Sequence, residues 1–466
     1  MALSRSARLA ALTVAAASSF CLIAAAPAPT PGSDGIGDPY FPQLGNGGFD
    51  ADHYALDVAY NPDTDRLDGR TTLTARATQN LSAFDLDLQK LTVTKVEVNG
   101  RRAEFTRSGD ELRITPSASL HKGKTFTATV TYGGVPEPLS GPIVFGSDYG
   151  WMKTADGVFV ACEPNAASTW FPSSDHPSDK ATYDIRIKAP KGLTGVSNGR
   201  LVDTYDTDKG KQTVNHWRES KPMASYLATA SIGKFDVKTG KTPAGTPIYV
   251  AIDPVLANSN NVDVYAVTAE ATDYWSQVFG PYPFEETGAV VDDMPQAGFS
   301  LETQTKPSYS AVRSESTIVH ELAHQWFGDS VSVEQWKNIW LNEGFATYAQ
   351  WLWTEHKGGA SAHDSFLAGY NSRPATSSFW QTKVGDPQRD TMFASAVYQR
   401  GAMTLQMLRE RIGDKAFFKL LPAWTKMHRY GNADTSDFIA LAERVSGQQL
   451  DDLFDTWLFT TGKPSL

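Results

Sequence analysis

The sequence predicts an α+β, multidomain protein in which an N-terminal all-β domain is followed by a mainly helical domain. One observation is the length of 466 residues, which exceeds the usual size of a single domain. Another is the alternation of apolar with other residues, at a period of two, from Asp52 to about Phe235. A third is the helical spacing of apolar residues that dominates from Val264 onward.

Residues 1–28 have the features of a secretory signal peptide. Two arginines precede an alanine-rich apolar run from Leu9 to Ala26, and A-x-A-like cleavage sites lie at its end. An uncleaved membrane anchor is one alternative, but Ser18-Ser19 interrupts the run, whose hydrophobicity is low for a span. A lipoprotein attached through Cys21 is another, but the residues before this cysteine match a lipobox poorly. We therefore expect secretion, without stable membrane insertion after signal removal.

Net charge limits which partners the protein can bind, and cysteine content limits how its fold is stabilised. The net charge of −10 and the lack of a basic cluster argue against nucleic acid or an anionic membrane as a partner. Once the signal peptide is removed, Cys162 is the only cysteine left, so the fold must depend on its core and not on a disulfide. No histidine pairing suggests a nucleophile, and we expect Cys162 to be a buried thiol.

Shifts in composition divide the rest of the chain. Residues 29–50 form a leader rich in proline and glycine, residues 51–240 the β domain, and residues 241–466 the mainly helical domain. Within the β domain, alternating stretches such as residues 54–60 are separated by turn signals, which favours antiparallel sheets packed on one another. The break lies at residues 236–247, where two glycines and two prolines are close together.

The helical domain contains the motif H-E-x-x-H at residues 320–324, and eighteen further residues lead to Glu343. On a helix, His320 and His324 stand one above the other and present two imidazoles to a single metal ion. Glu321 lies about 100° around the helix from His320, where it can take a proton from metal-activated water. Two histidines and one carboxylate leave a tetrahedral zinc ion one open position, which is the catalytic pattern. A chance motif on a surface helix is the alternative.

Local signals place both parts of this motif on helices. Ser314 and Ser316 are start signals for the first helix, whose buried face continues to Trp326 and which Gly328 ends. A second helix is predicted from about residue 342 to residue 356, with Glu343 in its first turn, from which the carboxylate can reach the first helix. Further helices are predicted at 264–278, 401–411, 416–426 and 436–445.

The segments H-E-L-A-H-Q-W-F-G-D (320–329) and W-L-N-E-G-F-A (340–346) resemble the M1 family of zinc aminopeptidases, which belongs to the gluzincins. The resemblance implies a saddle-like β domain followed by a thermolysin-like catalytic domain, with one zinc ion per chain. The sequence ends after a W-L…G-x-P segment (457–464), where many family members continue into a large helical domain. A short form without that domain is expected to have a more open cleft.

The same resemblance implies two carboxylates that hold the free amine of a substrate. The run G-F-S-L-E-T (298–303) is similar to the family's G-x-M-E-N strand and implies this role for Glu302. Phe299 stands where the family has its first glycine, unless a shift of one residue lets Gly298 serve. The segment that begins near Glu163 is similar to the family's Q-x-E-A…F-P-C-x-D-x-P segment and implies a second amine contact. Alanine and serine replace the glutamine and the cysteine here, so one polar contact is expected to be missing.

Tyr398 lies in V-Y-Q-R-G-A (397–402), which resembles the family's Y-x-K-G-A segment with Arg400 in the lysine place. The resemblance implies that Tyr398 donates a hydrogen bond to the oxyanion that forms when water attacks the peptide carbonyl. A packing role for this tyrosine is the alternative.

These features favour a secreted zinc metallo-aminopeptidase that hydrolyses the first bond of peptides with a free N-terminus. Its zinc ligands would be His320, His324 and Glu343, and its base Glu321. A zinc endopeptidase of the thermolysin type is the alternative, since the metal chemistry is shared, and Glu302 is the feature against it. A non-catalytic module that has kept the fold is a third hypothesis.

Overall fold

The computed structural model describes residues 28–144, 146–257, 259 and 261–466. The predicted signal peptide, apart from Ala28, and Cys21 within it therefore lie outside the described residues. Within the described ranges, no helix combines the length and the apolar character needed to cross a membrane.

Strands fill the first half of the described chain and helices most of the second. The elements in chain order are β1 (Thr30–Pro31), β2 (Phe49–Asn61), β3 (Arg66–Ala77), β4 (Leu81–Asp87), β5 (Thr92–Val98), β6 (Arg101–Arg102), β7 (Glu104–Ser108), β8 (Glu111–Thr115), β9 (Thr125–Gly134), β10 (Leu139–Ser140), β11 (Asp148–Lys153), β12 (Val158–Ala161), β13 (Lys180–Pro190), β14 (Thr194–Ser197), β15 (Arg200–Thr207), β16 (Gln212–Ala224), β17 (Ala230–Gly233), β18 (Asp236–Lys241), β19 (Pro247–Ile252), α1 (Val264–Val278), β20 (Thr287–Val291), β21 (Ser300–Leu301), β22 (Ser308–Tyr309), α2 (Glu315–Ala323), β23 (Ser332–Val333), α3 (Trp340–His356), α4 (Ala362–Asn371), α5 (Ser395–Ile412), α6 (Asp414–Met427), β24 (Asn432–Ala433), α7 (Thr435–Ser446) and α8 (Asp451–Phe454).

The first half is organised by an eight-stranded sheet with the order β15-β16-β13-β2-β3-β9-β5-β6. Two smaller sheets, β1-β4-β8-β7 and β10-β11-β12-β17-β14, contribute to the same apolar core. Along β2, Tyr54, Leu56, Val58 and Tyr60 are all buried, which confirms the period of two. Most pairs are antiparallel as predicted, but β13 runs parallel to β2. A long connection separates these two strands, so no tight turn forces them to be antiparallel.

The predicted break at residues 236–247 is a β-hairpin. Strands β18 and β19 pair antiparallel from Asp236 opposite Ile252 to Lys241 opposite Pro247. They belong to the sheet β18-β19-β20-β22-β21 of the second half. The cluster of glycines and prolines therefore forms a turn and not a linker, and Gly245 there has φ +101°. The division predicted after residue 240 falls within β18, and the domain limits stay predictions.

The segment predicted as a leader is packed against both halves of the protein. Asp38 is 2% exposed, and its carboxylate accepts the backbone N–H of Trp336 at 2.9 Å and lies 3.1 Å from His176 Nε2. Burial acts to raise the pKa of Asp38, but the hydrogen bonds from His176 and Trp336 outweigh burial and lower it. The segment thus contacts the β-rich half and the turn that leads into α3, and the limits of the leader stay a prediction.

The helices of the second half follow the predicted ones with three corrections. The predicted first metal-site helix was too long: α2 ends at Ala323, because the N–H groups of Gln325 and Trp326 bond to carbonyls three residues back, at 3.3 and 3.1 Å. The next helix, α3, begins two residues earlier than predicted. The third correction is α5, which begins at Ser395 and not at residue 401. Its start was not predicted because no side-chain cap marks it in the sequence.

Candidate metal centre and active site

His320, His324 and Glu343 converge between α2 and α3. The Glu343 Oε2 atom lies 3.2 Å from His320 Nε2 and 3.4 Å from His324 Nε2. One ligand atom from each residue lies within 4.8 Å of the other two, and all three side chains are buried. In the part of the chain that the structure describes, the one other cluster of this kind is Glu302, Glu321 and His324, which shares His324 with the first.

The spacing of the first cluster fits a tetrahedral zinc ion. Ligand atoms about 2.0–2.1 Å from zinc at tetrahedral angles lie about 3.3 Å apart, which agrees with the two carboxylate–imidazole distances. His324 Nδ1 lies 3.0 Å from the carbonyl oxygen of Phe327. Donation of a proton there leaves the Nε2 lone pair free for a metal. Two imidazoles and one carboxylate form a zinc donor set with one position left for water or substrate.

Local backbone structure places the two histidines. Ser314 caps α2 as predicted, because its side chain accepts the N–H of Thr317 at 3.2 Å. His324 follows the last residue of α2 but keeps helical dihedrals, with φ −58° and ψ −23°, and so still stands above His320. The chain then turns at Gly328, which has φ +136°, and a Cβ there would lie 3.4 Å from His324 Nδ1. A side chain at this turn would crowd the ring of His324, a predicted metal ligand.

The charges at the centre favour a bound cation. Burial acts to raise the pKa of Glu343, but His324 and His320 outweigh burial and hold it at about 2. Burial acts to lower the pKa of His324, but Glu302 and Glu343 outweigh burial and raise it well above its ordinary value. The buried carboxylates thus draw positive charge onto an imidazole, and a divalent cation would supply that charge instead.

Glu321 lies beside the three ligands and is 7% exposed. Burial raises its pKa to about 8; Glu302 and Glu343 act in the same direction, and His324 and Arg313 oppose them. A cation at the centre would lower this value. The carboxylate therefore suits a proton acceptor that works near neutral pH.

Glu302 lies on the loop that follows β21 and is 2% exposed. Gln325 braces this loop, because its Oε1 accepts the N–H of Thr305 at 2.7 Å and its Nε2 donates to the Glu302 carbonyl oxygen at 3.1 Å. From the β-rich half, Asn198 Nδ2 donates to the Gln304 carbonyl oxygen at 2.8 Å. The Glu302 Oε1 atom has no hydrogen-bond partner among the described residues, and burial raises the pKa of this carboxyl. The loop thus holds a carboxylate with an unused acceptor next to the metal ligands.

Glu163 reaches the same side of the centre from the β-rich half. It follows β12 and lines a cavity together with Tyr398. Its Oε1 atom is buried and has no hydrogen-bond partner in the part of the chain that the structure describes. Burial, followed by the charges of Glu302 and Glu343, raises its pKa well above the ordinary value. The two carboxylates predicted to hold an amine are therefore neighbours, although 139 positions in the numbering separate them.

Tyr398 lies in the first turn of α5, and its ring stacks beside that of His320 with centroids 6.1 Å apart. Helices α3 and α5 approach closely, since a Cβ on Gly401 would lie 2.9 Å from the Cα of Gly344. This approach sets the distance between Tyr398 and the ligand Glu343 on α3. Burial raises the pKa of Tyr398 well above its ordinary value, so the hydroxyl stays protonated and can donate a hydrogen bond.

Two cavities meet at Tyr398 and Phe393. The larger, of about 640 Å³, is lined by His320, Glu321 and further residues of α2, α3 and α5. The smaller, of about 190 Å³, is lined by Glu163 and by the residues around β21. All seven predicted site residues therefore lie at or next to one site, and their individual roles stay predictions.

Sequence reasoning did not identify several residues that shape the site. Gln325 directly follows the motif, but its function depends on the distant loop that carries Glu302. Arg313 Nη2 donates to the Phe299 carbonyl oxygen at 3.0 Å and so fixes the chain before β21. Arg400, noted in place of a lysine, points away from the site and donates to carbonyl oxygens of the C-terminal segment, including Thr456 at 2.9 Å. For Gln325 and Arg313, closeness in the sequence to the H-E-x-x-H motif was the only sign of a role at the site.

Comparison with known proteins places these features in a family. Residues 50–227 match the model of the peptidase M1 N-terminal domain, and residues 290–457 match that of the peptidase family M1 domain. Together the two models match about three quarters of the chain. They divide the chain into the β-rich and mainly helical parts seen in the structure.

Relatives and solved structures agree with this match. The chain is 29% identical over 339 residues to aminopeptidase M1-C of Oryza sativa subsp. japonica, an alignment that covers 67% of the chain and 38% of the relative. It is 28% identical over 409 residues to aminopeptidase N of Streptomyces lividans, with 81% and 46% covered. The chain thus spans less than half of these curated relatives. An M1 zinc metallopeptidase from Deinococcus radiodurans superposes with a TM-score of 0.85 at 28% identity, with 93% of this chain and 98% of that one covered.

Proposed function

The chain belongs to peptidase family M1, and from this premise we propose that it is a secreted zinc aminopeptidase that removes the first residue from peptides. Its two-part architecture, β-rich and then mainly helical, is the two-domain M1 fold. The observation that carries the proposal is the pair of carboxylates, the buried Glu302 and the partly buried Glu163, beside the three predicted metal ligands. An ammonium is strongly solvated in water, so its capture requires carboxylates at a fixed distance from the scissile bond.

Each residue has a role that its position allows. His320, His324 and Glu343 would hold one zinc ion, which when bound supplies Lewis acidity to the carbonyl and to the attacking water. Glu321 takes the proton of the water and passes it to the leaving amine. Tyr398 donates its hydroxyl to the oxygen of the carbonyl as negative charge develops there.

The amine site explains why cleavage would stop after one residue. Glu302 and Glu163 bind the free N-terminus, so only the first residue of a peptide spans the distance to Glu321. An acetylated N-terminus carries no charge and would leave the two carboxylates without a cationic partner, which costs binding energy. Solved structures show a two-domain M1 zinc metallopeptidase mutant bound to L-arginine and to L-tryptophan, and the Deinococcus radiodurans M1 zinc metallopeptidase mutant bound to a Tyr-Ser-Ala substrate. Ligands of this kind support an amine-binding role for the matching site here.

The test compares one peptide in two forms, with a free and with an acetylated N-terminus, on the zinc-loaded protein. We expect cleavage of the free form after its first residue, no cleavage of the acetylated form, and loss of activity with a chelator. Equal cleavage of both forms would favour a thermolysin-type endopeptidase instead. Hydrolysis that a chelator leaves intact would contradict a metal-dependent mechanism.

Secretion is the remaining part of the proposal. Its support is the N-terminal pattern of two arginines, an apolar run and small residues, together with an acidic net charge that offers no attraction to nucleic acid. Expression of the full sequence in a secreting host should release a protein whose N-terminus lies near residues 27–29. Retention of Met1 on a cell-associated protein would contradict export with cleavage.

A further inference from the structure

Residues 38–41, near the start of the described chain, contact the segments that lead into two helices of the site. The Asp38 carboxylate accepts the N–H of Trp336 at 2.9 Å. The ring of Phe41 packs edge-on against the Trp336 ring, with centroids 6.2 Å apart. Trp336 lies in the turn that precedes α3, the helix that carries Glu343. Residues 38–41 therefore hold one of the two approaches to the site.

Tyr40 contacts the second approach, which is the loop that leads into α5. Its hydroxyl donates to the Asp386 carboxylate and accepts the backbone N–H of Gln388 at 2.7 Å. Tyr40 is 8% exposed, and burial raises its pKa, so the hydroxyl stays protonated as the donor to Asp386. Gln388 has φ +70°, a conformation that residues other than glycine rarely adopt and that persists where the surroundings fix it. The Tyr40 hydroxyl helps to fix this backbone.

The loop carries Phe393, which borders both cavities of the site. After Gln388 the chain makes a single helical turn, Arg389–Thr391, before it reaches Phe393. Helix α5 then begins at Ser395, and Tyr398 lies in its first turn. Within the described chain, no side-chain cap fixes the start of α5. The position of its first turn therefore depends on packing and on the loop before it.

Other contacts also support this loop. The N–H of Gly385 donates to the carbonyl oxygen of Leu458 at 3.0 Å, and Met392 is fully buried. Loss of the Tyr40 hydroxyl should therefore shift the part of the loop between these two contacts and leave the fold intact.

We infer that Tyr40 is a positioning residue, which sets the start of α5 and thereby the place of Tyr398 relative to the metal ligands. This inference rests on the proposed function, in which Tyr398 donates to the oxyanion. Such a donor must lie within hydrogen-bond reach of the oxyanion, and a displacement of about 1 Å can lower a rate on the order of 100-fold. Because residues 38–41 also hold Trp336 before α3, one short segment serves as a common support for both helices.

The first experiment removes the Tyr40 hydroxyl and follows hydrolysis of a peptide reporter by the zinc-loaded protein. Tyr40→Phe should lower kcat by about tenfold, since it displaces the donor without removing it. KM and zinc content should stay near their wild-type values, because neither the amine carboxylates nor the predicted ligands are changed. The matched control is Tyr60→Phe, since the Tyr60 hydroxyl donates to Asp65 at 3.2 Å near the turn between β2 and β3. The control should keep the wild-type kcat, and a Tyr40→Phe variant that does so as well would overturn the inference.

A double-mutant cycle shows whether Tyr40 acts through Tyr398. Tyr398→Phe removes the oxyanion donor and should lower kcat on the order of 100-fold. In that background, Tyr40→Phe should lower kcat by less than about twofold, because the effects of residues that act on one group are not additive. Losses that multiply in the double variant would show a role for Tyr40 that is independent of Tyr398, and they would overturn the inference.

Variants at Asp386 keep the inference testable if thermal unfolding shows that Tyr40→Phe folds poorly. Asp386→Asn keeps an oxygen that accepts the Tyr40 hydroxyl, so kcat should stay within about twofold of the wild-type value. Asp386→Ala removes this acceptor and leaves the hydroxyl without it, so kcat should fall roughly fivefold. An Asp386→Ala variant as active as Asp386→Asn would overturn the inference.

Hydrogen exchange separates the inference from the proposed function. The amides of residues 386–394 should exchange about tenfold faster in Tyr40→Phe than in the wild type or in Tyr60→Phe. Exchange that is the same in all three proteins would overturn the inference and leave the aminopeptidase function standing. Equal cleavage of free and acetylated peptides by the wild type would contradict the aminopeptidase function. The double-mutant cycle would then still decide the inference, since hydrolysis of either peptide forms an oxyanion.

Discussion

The predicted metal ligands and the carboxylates proposed to bind the amine lie next to each other, but the chain builds them in different ways. His320, His324 and Glu343 lie within 24 consecutive residues: His320 on α2, His324 directly after it and Glu343 on α3. Glu302 lies on a loop after a two-residue strand, and Glu163 comes from the β-rich half. The first group is therefore specified by local helix geometry, and the second by how distant segments pack. Hydrolysis and the requirement for a free N-terminus should respond separately to mutation.

The largest effect is expected at the base. Glu321→Gln removes the proton acceptor but keeps size and hydrogen bonding, so kcat should fall by a factor on the order of 10³. Zinc content should stay near one ion per chain, because Glu321 is not a ligand of the first cluster. Reporter hydrolysis and metal analysis measure the two quantities. The control is Glu334→Gln, an exposed glutamate between the two metal-site helices, which should behave as wild type. A Glu321→Gln variant with normal turnover would contradict the assignment of the base.

A smaller effect, confined to amine recognition, is expected at Glu302. Glu302→Gln keeps the side-chain shape and removes the charge, and loss of one partner of a buried charge pair costs roughly 2 kcal/mol or more, which is about 30-fold in kcat/KM. The acetylated peptide should stay uncleaved, so the difference in cleavage between the two forms should shrink.

Glu163→Gln is the matched variant for Glu302. We expect the same change in preference with a smaller loss for the free peptide, because Glu163 is partly exposed whereas Glu302 is almost fully buried. If both variants kept the full preference for a free N-terminus, these carboxylates would not be the amine site.

Gln325 holds the loop of Glu302 in place, and its substitution should have a smaller effect than substitution of Glu302 itself. Gln325→Leu removes both hydrogen bonds to the loop of Glu302 and leaves the N–H of Thr305 without its partner. We expect KM for free peptides to rise on the order of fivefold, with kcat and zinc content changed less. Gln296→Leu, an exposed glutamine on the segment before β21, is the control and should change neither parameter. A variant at Gln325 that lowers only stability would indicate a purely structural residue.

The smallest effect concerns the pH profile. Arg313 lowers the pKa of Glu321, which burial raises, and Glu321 can accept a proton only as a carboxylate. Activity should therefore fall as pH decreases through the pKa of Glu321. Arg313→Met removes a positive charge, raises that pKa and moves the acid limb of kcat/KM to higher pH, by roughly half a pH unit because Arg313 is partly exposed. Arg313→Lys keeps the charge, so the acid limb of kcat/KM should lie near its wild-type position. An acid limb that stays in place in Arg313→Met would contradict this coupling.

The contrast between the two groups also accounts for what the sequence could predict. The period of two in β2 and the bounds of α1 follow from local patterns and were confirmed. The histidine pair follows from the pitch of a helix, and it survives even though α2 ends at Ala323, because His324 keeps helical dihedrals. These features depend on neighbours a few residues away, which a sequence displays directly.

The features that the sequence did not predict depend on distant partners. The hairpin of β18 and β19 was interpreted as a break, since glycine and proline mark turns and linkers alike. The packing of Asp38 against His176 and Trp336 joins segments that no spacing rule connects. The brace formed by Gln325 belongs to the same class, because its partners lie on a separate loop. Glu302 and Glu163 could be identified by resemblance to a family, but not from the residues alone.

The most direct test of the account is anomalous diffraction at the zinc absorption edge from crystals of the zinc-loaded protein. We predict one strong peak about 2.0–2.2 Å from His320 Nε2, His324 Nε2 and a Glu343 carboxylate oxygen, with a remaining position open toward Tyr398. A peak bound by other residues, or none between α2 and α3 in protein that hydrolyses peptides, would contradict the account.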